Sequence, residues 1–403
     1  MKNKIIFMIY SLLLGGIIGG IVWSFLKIMH ICMNFIWEYI PEKCNIPFYA
    51  IIVCVIGGLI IGLWRHKVGD YPEELDVVIK KVKSEGKYTY NKTGIICISA
   101  LLPLIFGASV GPEAGLSGVI AGLCSWVSDK FKKLFKEMKE LTSIGMSATL
   151  GIIFNSPMFG FVEPIEDEEV KLPKRSKIIL YFLAIFGAFG IMLLLKNIFG
   201  GGSGLERLSG YGADIKEWLF LIPLCIIGVI FGSIYLLFHK ATNTISKLFS
   251  NTIIKCIIAG LVLGICGYLL PLTMFSGEEQ IASLVTSYKE IGIIILILIG
   301  IIKLFVTNVC VSFGFKGGHF FPCIFSGICL GYAFGLLFDI NVIFSVCVVT
   351  TSLMACILKK PFATVLLLMI CFPFKAVPIM LFAAVIGTFI NNSKKLEVKN
   401  AKE

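Results

Sequence analysis

Apolar runs recur along this chain from one end to the other: Ile5 to Tyr39, Ile46 to Leu63, Ile178 to Leu195, Trp218 to Phe238, Ile257 to Leu270, Ile291 to Val306, Phe362 to Phe372 and Val377 to Ile390. Several approach the ~20 residues a helix needs to cross the hydrocarbon core of a bilayer. Between them the longest polar stretch, Arg65 to Lys92, has 28 residues, too few to fold alone as a soluble module. With 57% of 403 residues hydrophobic, 15% charged and a mean hydropathy of +0.92, a water-soluble fold is excluded. The expectation is a single all-α integral membrane domain over residues 1–403. The amino-terminal apolar segment is too long for a signal peptide and has no small-x-small cleavage site, so it is expected to remain as the first helix.

Several function classes drop out on composition and motifs. The fourteen cysteines include no C-x-x-C pair, and Cys54, Cys97, Cys225, Cys310 and Cys347 sit inside apolar runs as small hydrophobes. Four histidines, none at metal-ligand spacing, argue against a zinc site. No hydrolase triad, P-loop or Rossmann glycine pattern is complete, so neither an enzyme, a cofactor nor an ATP-driven pump is expected. The net charge of +11 lies in short loops between apolar runs, which is the positive-inside pattern and not a nucleic-acid footprint.

Loop charge also orders the chain across the membrane. Basic residues collect in Arg65 to Lys92, Lys130 to Lys139, Lys171 to Lys177, His239 to Lys255 and Lys394 to Lys402, which are expected to face the cytoplasm of a cell-membrane protein. Glu38 to Lys43, Glu206 to Glu217 and Glu278 to Glu290 are balanced or acidic and fall outside. Both termini, including a tail at 393–403, then lie inside. Gly94 to Ser128 must therefore enter and return within 35 residues, fewer than two full spans require. The segment has to be broken, and Gly107, Gly111, Pro112, Gly115 and Gly118 crowd its middle. Non-helical backbone at membrane depth survives only where protein or a cavity surrounds it.

The second half repeats this pattern. Gly317-Gly318-His319-Phe320-Phe321-Pro322 lies 207 positions after the first break when Gly111 is set against Gly318, and Phe154-Asn155-Ser156-Pro157 pairs with Leu358-Lys359-Lys360-Pro361 at an offset of 204. Two landmarks at nearly constant spacing point to two antiparallel repeats, about 1–199 and 200–392. In inverted repeats, discontinuous helices meet near the midplane, where their N-terminal N–H groups can hold an anion.

Within the first break, Glu113 is a carboxylate inside an otherwise uncharged apolar stretch, a position costly enough to be functional by default. The plainer reading is a helix-end carboxylate satisfied by nearby N–H groups. Glu166 and Asp167 close the helix that starts at Pro157, either as a solvated face or as an inner proton relay. His319 and the nearby Lys316 can draw anions electrostatically, and Phe320 either shapes a constriction or is an ordinary core aromatic.

From about Gly15 to Ile390 these residues resemble the CLC family of chloride channels and chloride/proton antiporters. Gly111-Pro112-Glu113-Ala114-Gly115 is similar to the family's G-K/R-E-G-P signature, Gly318-His319-Phe320-Phe321-Pro322 fits its G-x-F-x-P signature, and Phe154-Asn155-Ser156-Pro157 resembles its F-N-x-P helix start. The resemblance implies a CLC-like inverted-repeat bundle of tilted and broken helices, working as a homodimer with one anion pathway per subunit. It implies that Glu113 is the gating glutamate and proton acceptor, and that Gly111, Pro112, Gly318, His319, Phe320 and Phe321 surround the anion. It also implies that Asp167, one methylene shorter than the family's glutamate, with Glu166 beside it, passes protons on the inner side. Gly69-Asp70-Tyr71-Pro72 stands where the family has G-S-G-I-P, which puts Gly69 or Asp70 at the serine's anion-binding place. No final helix with a central-site tyrosine is matched. The expected function is transport of chloride or a similar small anion, as an anion/proton antiporter. The alternatives are a passive voltage- or pH-gated anion channel, a fluoride-selective variant and, more remotely, a non-transport membrane scaffold.

Overall fold

The computed structural model describes residues 2–44, 46–85, 87–130, 141–154, 156–162, 175–200 and 207–390. The first half runs α1 (Lys2–Asn34), a π-helical turn at Phe35–Tyr39, α2 (Ile40–Lys43), α3 (Tyr49–Val68), α4 (Leu75–Glu85), α5 (Thr93–Ile105), α6 (Glu113–Lys130), α7 (Leu141–Ile153), α8 (Pro157–Val162) and α9 (Arg175–Phe199). The second runs α10 (Ile215–Ser246), α11 (Thr252–Leu269), α12 (Gln280–Ile291), α13 (Ile293–Phe313), α14 (Phe320–Leu337), α15 (Val342–Leu358), α16 (Pro361–Leu368) and α17 (Val377–Ile390). Seven helices among the described residues are long and apolar enough to cross a membrane. The outward faces of α1, α9 and α10 expose Ile17, Phe186, Leu219 and Ile222, side chains suited to lipid and too numerous for water.

The segment expected to be broken is broken. α5 has only 13 residues, about 20 Å at helical rise, and stops at Gly107, whose φ of +78° is open to glycine and costly for other residues. The Trp37 indole N–H donates to the Ile105 carbonyl at 2.9 Å, filling one of the acceptors a helix end leaves free. α13 ends the same way at Gly314, with φ +115°.

The two halves follow one element order. α6 starts at Glu113 and α14 at Phe320, α8 at Pro157 and α16 at Pro361, which preserves the spacings read from the motifs. Counterpart helices also touch: α3 packs along α11. A Cβ on Gly58 would stand 2.4 Å from the Cys256 carbonyl oxygen, and one on Gly260 would stand 2.2 Å from that of Cys54. Equivalent elements that meet reciprocally lie on the axis relating the halves, and glycine lets the two backbones close on it. α14 and α15 form the centre, with nearly every side chain buried. This is an inverted-repeat bundle of membrane helices.

Candidate functional site

The two glycine breaks meet. Gly111 N–H donates to the Gly318 carbonyl at 2.7 Å and Gly318 N–H to the Gly111 carbonyl at 2.8 Å, an isolated antiparallel bridge between residues already matched by their spacing. This brings the N-termini of α6 and α14 side by side. The Glu113 side chain, 0% exposed, crosses the junction, and the Phe320 N–H donates to its Oε1 at 3.0 Å. One first-turn donor of α14 is thereby spent on the carboxylate of α6, with the positive ends of both helix dipoles close by. Oε2 of Glu113 is buried with no hydrogen-bond partner among the described residues. The fit depends on missing side chains: a Cβ on Gly318 would fall 1.9 Å from the Glu113 carboxyl carbon, and one on Gly111 2.0 Å from Oε2.

Recesses approach this junction along two routes. A cavity of about 200 Å³ reaches Glu113 and Ala114 past Gly317, Gly318, His319 and Phe320, with Glu74, Leu75, Tyr235 and His239 on its other walls. Glu74 is solvent-exposed, so the cavity opens there. A second recess of about 20 Å³ touches Pro112 and Ala108 and is walled by His30, Phe275, Ser276, Glu278 and Glu279. His30 Nδ1 lies 2.9 Å from Glu279 Oε1, and this bond holds the Glu279 carboxyl below the usual carboxylate range. Adjacent residues 112 and 113 thus belong to different recesses, with Glu113 at the boundary.

Aromatic side chains brace the junction. The Phe154 ring, ending α7, stacks on Phe320 and Phe321 with centroids 5.4 and 5.2 Å away, and Phe159 of α8 meets Phe154 edge-on at 5.0 Å. The Ser156 hydroxyl donates to the Leu366 carbonyl at 2.7 Å, tying α8 to its counterpart α16. Phe320 is therefore both a cavity wall and a core aromatic, while Phe321 belongs to the aromatic cluster.

The remaining expected residues lie elsewhere. Asp70 is ion-paired to Arg65 and, at 3.5 Å, to Lys316, with 65% of its side chain exposed. Neither Gly69 nor Asp70 lines the 200 Å³ cavity. Two basic groups pair with the aspartate outside the cavity, and the carboxylates that line it are Glu113 and Glu74, the latter just before α4. Glu166 and Asp167 lie outside the described residues. Among the cavity's lining residues not singled out from the sequence, Glu74, Tyr235 and His239 carry polar side chains. The one available signal was a tyrosine and a histidine four positions apart, on one face of an apolar helix.

The family model described as voltage gated chloride channel matches residues 57–392, most of the chain. The chain belongs to that family. Among curated relatives, an uncharacterized protein of Methanocaldococcus jannaschii is 27% identical over 353 residues, covering 84% of this chain and 82% of its own. The H+/Cl− exchange transporter ClcA of Vibrio parahaemolyticus is 26% identical over 241 residues, 57% of this chain and 49% of its own. Two solved structures superpose with a TM-score of 0.76, each covering 96% of this chain. One is a CLC-type fluoride/proton antiporter at 21% identity, covered over 95% of its length, and the other a slow cyanobacterial Cl−/H+ antiporter at 18%, covered over 94%. At such identities the likeness is one of fold, and it shows the CLC architecture.

Proposed function

We propose that this CLC-family chain moves chloride or a similar small inorganic anion across the cell membrane in exchange for protons, with Glu113 as both gate and proton carrier. The observation that carries the reading is the Glu113 carboxylate, buried at the boundary of two recesses and bonded to the first N–H of α14. Ionised, it occupies the donors that would otherwise bind an anion, and so excludes one. Protonated, it loses the stronger charge-assisted bond and its negative charge, so it can leave those donors to an anion entering from the larger cavity. One site alternately held by a carboxylate and an anion couples proton uptake to anion movement. A cation is disfavoured, because the N-termini of α6 and α14 present positive dipole ends at the junction.

The remainder of the reading extends the family resemblance: two antiparallel repeats over about 1–199 and 200–392, both termini in the cytoplasm, and a homodimer with a pathway in each subunit. Glu74 at the mouth of the larger cavity and the acids at 166 and 167 are candidates for inner proton delivery.

The test is anion efflux from proteoliposomes with simultaneous pH recording, using chloride, fluoride and nitrate. The expected outcome is proton uptake driven by an anion gradient in the wild type, and anion flux without proton movement in Glu113→Gln. Anion flux that never moves protons in the wild type would identify a passive channel on the same fold. Absence of flux for all three anions would overturn the transport reading.

A further inference from the structure

A phenol hydroxyl in the larger cavity has no hydrogen-bond partner among the described residues. Tyr235, near the middle of α10 and 5% exposed, lines the cavity together with Glu113 and the Gly318–Phe320 break. Its hydroxyl makes no hydrogen bond to any described residue and, unlike Glu113 Oε2, is not sealed off from solvent, so its O–H is left to the space of the cavity. The rest of the residue is firmly held. Its ring packs against those of His319 and His239, with centroids 5.7 and 6.5 Å away. Its carbonyl accepts from Asn308 Nδ2 at 3.3 Å, and the same amide donates to the Leu304 carbonyl at 2.9 Å. Asn308 Oδ1 is then the acceptor facing His239 Nδ1 at 3.2 Å, and His239 Nε2 accepts from Asn243 Nδ2 at 3.0 Å. Asn308 of α13 therefore clamps α10 at two successive turns, and the neutral Nδ1–H tautomer satisfies both imidazole nitrogens.

The cavity thus holds a fixed, unspent O–H facing a space that also borders the N-terminus of α14, another set of donors. An anion would satisfy both sets at once. We propose that the Tyr235 hydroxyl is a direct ligand of the transported anion, donating its O–H beside the first-turn N–H groups of α14 and favouring small, strongly hydrogen-bond-accepting anions. This deepens the anion-transport reading and rests on it. A neutral hydroxyl adds no charge, so its contribution follows the acceptor strength of the anion and is greatest for fluoride and least for nitrate. Asn308 acts through Tyr235 as a positioning residue.

The experiment is equilibrium binding of fluoride, chloride and nitrate to the purified full-length chain by titration calorimetry, for wild type, Tyr235→Phe and Asn308→Leu. Thermal unfolding of each is followed in parallel. Tyr235→Phe keeps the ring and removes only the oxygen. It is expected to weaken chloride binding by about tenfold, the scale of one lost hydrogen bond to a charged group, fluoride by more and nitrate by less. Asn308→Leu is expected to reproduce that order. Wild-type affinities for all three anions in Tyr235→Phe would overturn the assignment, as would an equal loss for all three accompanied by a lowered unfolding temperature, which would mark a packing role. In either case, proton coupling abolished by Glu113→Gln would leave the transport reading standing. A wild-type protein that neither binds nor moves any of the three anions would overturn both.

Discussion

Gly318 shows how little space separates a gate from a clash. Its hydrogen faces the Glu113 carboxyl group so closely that a methyl there would stand 1.9 Å from the carboxyl carbon and 2.0 Å from Oε1. The obstruction is the far end of a flexible side chain, which can turn away without moving backbone. Gly318→Ala is therefore expected to fold with an unfolding temperature near wild type while Glu113 leaves its bond to the Phe320 N–H. Misplacement of a reacting group by about 1 Å can cost roughly a hundredfold in rate. Proton movement in the flux assay should fall by that order while anion flux persists, as in Glu113→Gln. Full coupling in Gly318→Ala would show that the seat beside Phe320 is not where Glu113 acts. At this scale much was legible beforehand: an acid inside an apolar run advertises its own cost, and the matched spacing of Gly111 and Gly318 anticipated a contact that the structure makes through two backbone hydrogen bonds. Asp70 was not legible in the same way. Its pairing with Arg65 and Lys316 joins residues from different segments, and no local pattern signals that those two basic groups would hold it away from the cavity.

Among the elements, α10 is the one whose role in the site was hidden, because its sequence reads as an apolar span and its polar residues matter only through what they face. It reaches the cavity by packing closely on α15. A Cβ on Gly228 would lie 2.5 Å from the Val349 carbonyl oxygen and 3.0 Å from the Leu353 nitrogen, both backbone atoms of a central helix that cannot yield cheaply. Two turns further along, α10 presents Tyr235 and then His239 to the cavity. Gly228→Val is expected to push the helices apart at a cost of about 1–3 kcal/mol, the usual range for overpacking. The measurable results are a lowered unfolding temperature and weakened anion binding, since Tyr235 is displaced with its helix. Unchanged stability and binding would mean that α10 slides freely on α15 and is not held in register by this seam. The helix pairs α6/α14 and α8/α16 were foreseeable because glycine or proline marks their starts. The approach of α10 to the second break was not, because it depends on Asn308 within α13, and a lone amide in an apolar run does not name its partner.

For the whole molecule, the decisive feature is asymmetry across a nearly symmetric frame. Counterpart helices meet at the axis, yet the recess bordering Pro112 holds about 20 Å³ and the cavity bordering Glu113 about 200 Å³. The first has room for about one water, the second for several. If the halves are inverted across the bilayer, Glu74 at the mouth of the cavity and Glu279 beside the recess face opposite compartments. Cysteine placed at each position by Glu74→Cys or Glu279→Cys, in a chain whose exposed Cys44 is changed to serine, tests this with a membrane-impermeant thiol reagent on oriented vesicles. The expected result is labelling of 74 only from the cytoplasmic face and of 279 only from the outer face, with anion flux falling on modification at 74 because the bulky adduct stands in the wider entrance. Labelling of both positions from one side would contradict the inverted arrangement and, with it, a pathway that changes sides at Glu113.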